Sequence, residues 1–241
     1  MKGKTLFLRA AWAVLLSACL VVSVADAEEG VWAGSAEVGG LQTSGNTQTR
    51  TLNAAAKGDY SLDKWRFALG GKATVGSDRG ITTTEHYHAD GSGRYALTER
   101  LYTLATLDYD KDRFSGYKYR LSESLGLGYM FVDSASLQIS VEAGVGFRQS
   151  TFNNKRKEKD TIGRGALHGK WQANEMVALA EEMTVEGGKN GTVNTSDTSI
   201  TAMLTKVLAA KFSYKTTTNS KPVVGTKKTD TETSANLVYK F

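Results

Sequence analysis

The stretch Lys228–Phe241 restricts what this chain can fold into more than any other. Thr233, Ala235, Leu237, Tyr239 and Phe241 alternate with Asp230, Glu232, Ser234, Asn236 and Lys240, and Val238 is the one apolar residue on the polar side. Side chains alternate across a β-strand, so the pattern describes a strand with an apolar medium on one face and a polar medium on the other.

The same grammar runs back through the chain. The segment Val31–Gln42 places Trp32, Gly34, Ala36 and Val38 on one face, and Ser44–Thr47 reads as a tight turn. Leu52, Ala54, Ala56 and Tyr60 oppose Asn53, Lys57 and Asp59 in the next segment. Trp65, Phe67, Leu69, Ala73 and Val75 then oppose Arg66 and Lys72. Leu137, Ile139, Val141, Ala143, Val145 and Phe147 against Gln138, Ser140, Glu142 and Arg148 is the most regular case. Polar breaks at 77–83, 111–116, 151–160, 186–196 and 220–227 read as loops, the last holding Pro222, the single proline. Counted through, the pattern predicts about twelve strands, the even number that returns both chain ends to one side of a membrane. Breaks after even strands are short and most breaks after odd strands are longer, the asymmetry of periplasmic turns and outer loops.

The N-terminus reads as a targeting segment. Lys2, Lys4 and Arg9 precede an apolar run from Ala10 to Val24, and Ala25-Asp26-Ala27 supplies a small-x-small cleavage site. Residues 1–27 are therefore expected to be a signal peptide and 28–241 the mature domain. A retained anchor fits less well, because the run is short. Leu16-Ser17-Ala18-Cys19 is an alternative lipoprotein box, in which Cys19 would be lipidated. Cleavage after Ala27 leaves no cysteine for a disulfide or a metal, and a mildly basic chain with no case for nucleic-acid binding.

Aromatics sort by height. Trp32 and Trp65 start strands running one way, and Tyr60, Tyr95, Tyr129, Phe131, Trp171, Tyr239 and Phe241 end strands running the other. Tyr87, Tyr109, Tyr119 and Phe147 fall at the opposite end. Two levels of amphipathic rings suit the two interfaces of a bilayer, whereas a soluble β-sandwich, which also alternates, has no reason to gather tryptophan at one end.

The closing strand ends on an aromatic, and in this it resembles the last strand of bacterial outer-membrane barrels. With Leu237, Tyr239 and Phe241 as the recognised side chains, the resemblance implies reading by the barrel-assembly machinery. More narrowly, Trp32–Gly39, Thr43–Asn46, Leu125-Gly126-Leu127-Gly128-Tyr129 and Leu237-Val238-Tyr239-Lys240-Phe241, in that order, resemble the salt-induced outer-membrane protein family, domain of unknown function 481. The similarity covers nearly the whole mature chain. It implies an all-β, antiparallel up-and-down transmembrane barrel in the outer membrane, and carries over no activity.

Chemistry is sought on the inward face. Lys57, Asp59, Arg66, Lys72, His86, His88, Arg94, Asp108, Arg120, Glu142, Arg164, His168, Lys170, Glu182, Lys211 and Lys215 have the parity to line a lumen. They suit either a narrow water-filled pore or a closed ion-pair network. The bases outnumber the acids, which would mildly favour anions. His86 and His88 lie close enough for one metal but lack evident further ligands. No nucleophile motif accompanies them or His168, so no catalytic, metal or cofactor site is read. Lys155-Arg156-Lys157-Glu158-Lys159 reads as a solvated outer loop, with lipopolysaccharide phosphates as an alternative contact beside the surrounding lipids. Glu123 and Glu181 break the lipid face, as a subunit contact, a bulge or an error of register. The expectation is a non-enzymatic envelope barrel of structural or stress-related role, with a narrow passive channel as the alternative and a barrel-embedded hydrolase as the weakest reading.

Overall fold

A computed structural model describes residues 30–42 and 49–241, without the side chains of residues 41, 42 and 49. The expected leader, Cys19 and the turn at Ser44–Thr47 lie outside the described residues. The strands are β1 (Val31–Gln42), β2 (Thr49–Leu62), β3 (Trp65–Asp78), β4 (Ile81–Ala96), β5 (Leu101–Asp112), β6 (Tyr117–Asp133), β7 (Leu137–Phe152), β8 (Lys157–Gln172), β9 (Val177–Gly188), β10 (Gly191–Met203), β11 (Leu208–Asn219) and β12 (Thr229–Lys240). Each pairs antiparallel with its neighbours in sequence, and β12 returns to β1, so the sheet closes into a barrel without a free edge.

Burial is inverted relative to a water-soluble protein. Along β7, Ser140, Glu142 and Arg148 are buried while Val141, Val145 and Phe147 are exposed. Leu69, Val145 and Leu125 are 71%, 69% and 68% exposed on the outside wall. An apolar belt of this extent demands an apolar surrounding, and the alternation gives the polar residues the interior.

The belt is bordered by rings. At the rim where β1 begins and β12 ends, the terminal rim, Trp32 pairs with Tyr60 at 4.6 Å, Trp65 with Tyr95 at 4.8 Å and Tyr129 with Phe131 at 5.0 Å between centroids. Trp171 is exposed at the same rim. Toward the opposite, distal rim, Tyr109 stacks near Tyr119 at 6.1 Å, and the Lys111 ammonium lies 5.5 Å over the Tyr87 ring.

The break lengths differ from expectation. Residues 77–83 and 186–196 are not loops: β3 turns into β4 through Arg79-Gly80, and β9 into β10 through Lys189-Asn190. Most of 151–160 likewise belongs to β7 and β8. Past the apolar belt both faces of a strand meet water, so alternation vanishes while the backbone ladder continues. Among the described distal connections only Ser220–Lys228 is long.

The seam explains two of the sequence motifs. Ser35–Gly39 pair with Asn236–Lys240. Below them the Phe241 amide donates to the Gly34 carbonyl at 3.0 Å, and the Gly34 amide donates to the Phe241 carbonyl at 2.8 Å. The Phe241 ring lies where a side chain at residue 34 would stand: a Cβ there would meet the ring at under 3 Å. On the inner side Glu37 accepts from Lys211 Nζ at 3.0 Å and from Asn236 Nδ2 at 3.1 Å. Gly34→Leu is therefore expected to displace the Phe241 ring from the seam. Its folded band on unboiled electrophoresis should convert to the unfolded band at a lower temperature than that of the natural chain; equal conversion temperatures would refute the clasp.

Both acidic departures from the apolar face keep the register. Glu181 faces outward and accepts hydrogen bonds from the Ser196 hydroxyl at 2.7 Å and from Thr198. Its carboxylate is thus served by the neighbouring strand. Glu123 is exposed opposite Leu107 and Phe147, close to the distal aromatics, where a charge is tolerated.

Candidate functional site: the charged lumen

Alternation sends Lys57, Asp59, Arg66, Lys72, His86, His88, Arg94, Asp108, Arg120, Glu142, Arg164, His168, Lys170, Glu182, Lys211 and Lys215 to the inward side of the ladder. The interior also holds Glu37, Asp90, Asp110, Asp197 and Glu232, which interact with these residues, and Asp160 and Glu186, which lie near Arg148. The basic excess read from the sequence is therefore corrected: acids at least match lysines and arginines, and the inferred leaning toward anions loses its basis.

Glu142 is the centre of a fixed group. Its side chain is 1% exposed and is approached by Arg94 Nη2 at 2.8 Å, Arg164 Nη1 at 2.9 Å and His168 Nε2 at 3.4 Å. The Tyr102 hydroxyl donates to it at 3.1 Å. Tyr102, Gly128 and Glu142 are cross-strand neighbours on β5, β6 and β7, so the ring reaches Glu142 only by lying across Gly128. A Cβ at residue 128 would collide with that ring, which gives the Leu-Gly-Leu-Gly-Tyr motif a physical reason. Arg94 also lies 5.1 Å over the Tyr102 ring. The sequence placed each charge in the lumen but offered no sign of their convergence on one carboxylate, nor of Tyr102 as a partner.

The two histidines of β4 face Asp110 on β5. His86 Nε2 lies 2.7 Å and His88 Nδ1 3.6 Å from its Oδ2, and His88 Nε2 lies 3.5 Å from Asp90. Among the described residues no three His, Asp or Glu side chains are arranged to share a metal ion.

Toward the distal rim the interior on the β6–β11 side is filled. Buried Arg148 donates to the Gly191 carbonyl at 2.8 Å and lies 3.5 Å from Asp160 and 3.8 Å from Glu186. Asp160 in turn accepts from the Lys189 and Asn190 amides of the β9–β10 turn at 3.1 and 2.8 Å. Ser122 donates to Glu186 at 3.0 Å. A bulge between Tyr117 and Tyr119 brings Tyr117 to this side, with the Arg120 guanidinium 4.2 Å over its ring. A cavity bordered by Tyr117, Arg120, Arg148, Asp160 and Asn219 measures about 20 Å³, room for a single water. At the neighbouring β7–β8 turn, Arg156 is occupied by Glu158 at 2.9 Å and by the Phe152 ring at 4.4 Å, so the basic run is partly engaged within the chain.

The terminal half differs. Lys57, Asp59 and Arg66 on β2–β3, and Lys170 and Glu182 on β8–β9, point inward yet remain exposed. They come from opposite sides of the ring and have no ion pair among the described residues. Lys57 stands among carboxylates instead: Glu182, Glu37, Asp90 and Asp197, from four other strands, all act on it electrostatically.

Comparison with known proteins follows this geometry. A family model described as "Protein of unknown function, DUF481" matches residues 36–241. The uncharacterized protein YdiY of Escherichia coli K12 is 26% identical over 207 residues, which cover 86% of this chain and 82% of YdiY. Among solved structures, the COG4313 outer membrane channel from Pseudomonas putida F1 is similar with a TM-score of 0.53 and 11% identity, covering 90% of this chain and 97% of that one. The NanC porin is similar with a TM-score of 0.52 and 9% identity, covering 87% and 98%. These structural likenesses concern the fold, which is that of outer-membrane β-barrels.

Proposed function

The chain belongs to the DUF481 family, described only as of unknown function, and on that premise we propose that it is a narrow passive channel of the bacterial outer membrane for ions and small solutes. The terminal rim then faces the periplasm and the distal rim the outside. One observation carries the reading: Lys57, Asp59, Arg66, Lys170 and Glu182 project into the lumen exposed and without ion-pair partners among the described residues. A barrel whose interior served only to stiffen its wall would pair those charges or replace them with packed apolar groups, because an unpaired charge away from water is expensive. Water around them makes a hydrated path through the terminal half. The porin and channel named above share the fold and lend support of the same kind.

A second reading, a purely structural envelope barrel, is favoured by the packed β6–β11 side of the distal half around Arg148 and Asp160. Bilayer recordings separate the two. The channel is expected to give discrete conductance steps in planar membranes and to release small electrolytes from liposomes. Silent bilayers and retained solute, with protein shown to be folded, would establish the structural reading instead. The aromatic-ended β12 suits delivery by the barrel-assembly machinery, and the belt and its rings suit outer-membrane lipid and lipopolysaccharide as surroundings.

A further inference from the structure

We propose that the β11–β12 connection, Ser220–Lys228, is a strap that latches across the distal mouth and acts as the gate of the channel; the proposal rests on the channel reading above. The strand order sets the geometry. The β5–β6 turn and the β11–β12 connection stand on opposite sides of the ring. They nevertheless touch: Val223 lies against Gly116, so closely that a Cβ on Gly116 would stand 2.8 Å from the valine side chain. Just below, Asn219 Nδ2 at the end of β11 donates to the Tyr117 hydroxyl at the start of β6 at 3.4 Å. Both contacts bridge the lumen instead of following its wall.

The strap has a firm root and a weak tip. At the root the Ser220 amide donates to the Thr192 carbonyl at 2.8 Å, and the Thr192 amide donates to the Ser220 hydroxyl at 2.7 Å. Lys221 Nζ donates to the Lys189 carbonyl at 3.1 Å. The Asn219 amide donates to the Lys228 carbonyl at 2.8 Å, which closes the hairpin below the strap. The tip is a turn of its own, with the Thr226 amide and hydroxyl both donating to the Val223 carbonyl at 2.9 and 2.8 Å. Val224, beside it, is fully exposed. Across the mouth the strap touches Gly116 through Val223, and the long Asn219–Tyr117 hydrogen bond lies below it, between β11 and β6. Neither is a ladder bond of the barrel, so the tip can lift about its root without breaking any strand pairing. Loop excursions of this size are fast compared with changes in a closed sheet.

The test compares the natural chain with a variant lacking residues 222–226 and with the double substitution Val223→Gly, Tyr117→Phe, each confirmed as folded by its unboiled electrophoretic mobility. In planar bilayers both variants are expected to show severalfold higher mean conductance and to lose the long closures of the natural chain. Variants that are folded and conduct just as the natural chain does would overturn the gate and leave the channel standing. If neither the natural chain nor the variants conduct, the channel reading fails and the gate with it.

Discussion

Glu142→Leu is expected to destabilise the barrel by about 3–5 kcal/mol, since removing one partner of a buried ion group leaves the others uncompensated. Arg94 and Arg164 both approach this one carboxylate, at 2.8 and 2.9 Å, and the Tyr102 hydroxyl donates to its Oε1. The urea midpoint of unfolding, followed by tryptophan fluorescence in detergent micelles, should fall sharply. Glu142→Gln keeps the shape and one acceptor but loses the charge, so it should land between the leucine variant and the natural chain. A leucine variant as resistant to urea as the natural protein would show that the group around Glu142 does not hold the wall together.

Lys57→Glu is expected to shift ion preference strongly toward cations. The natural ammonium stands among Glu37, Asp90, Glu182 and Asp197 and offsets part of their charge. Its reversal makes every charge in that set negative, although Lys211 and Lys215 still act on Asp197 from β11. A unit charge a few ångströms from a hydrated ion is worth about 1 kcal/mol, with opposite sign for a cation and an anion, so removing the lysine charge alone should change the cation-to-anion permeability ratio roughly thirtyfold. Lys57→Met isolates that step, and the glutamate should exceed it. Reversal potentials across a potassium chloride gradient give the answer; identical potentials in the natural chain and both variants would remove Lys57 from the conducting path.

What could be read from the sequence, and what could not, has a common physical origin. Inside the apolar belt each strand separates lipid from lumen, so Leu125, Leu127 and Val145 stand out against their neighbours and parity alone sends Arg94, Glu142 and Lys211 inward. Beyond the belt water lies on both sides. There the ladder through Gly188 and Gly191 resembles a loop in sequence, and Asp160 and Glu186, lying in such stretches, were missed as inward charges. Convergence is the other limit. That Arg94 and Arg164 meet on Glu142 depends on the curvature of the wall and on Gly128 letting Tyr102 pass, and neither leaves a periodic trace. The length of the Ser220–Lys228 connection was legible, but its fold across the mouth rests on single contacts at Gly116 and Tyr117.

The extension of strands past the apolar belt bears on how the distal rim withstands cleavage. Proteases need several residues of unpaired backbone to draw into their clefts, and exposed loop tips usually supply them. The described turns at Arg79-Gly80 and Lys189-Asn190 are too tight to do so, and the strands leading to them are paired apart from one bulge between Gly76 and Ser77. Among the described distal connections, the segment around Val224 is the one long enough to be cut. A nick there would sever the strap while leaving every strand of the wall paired.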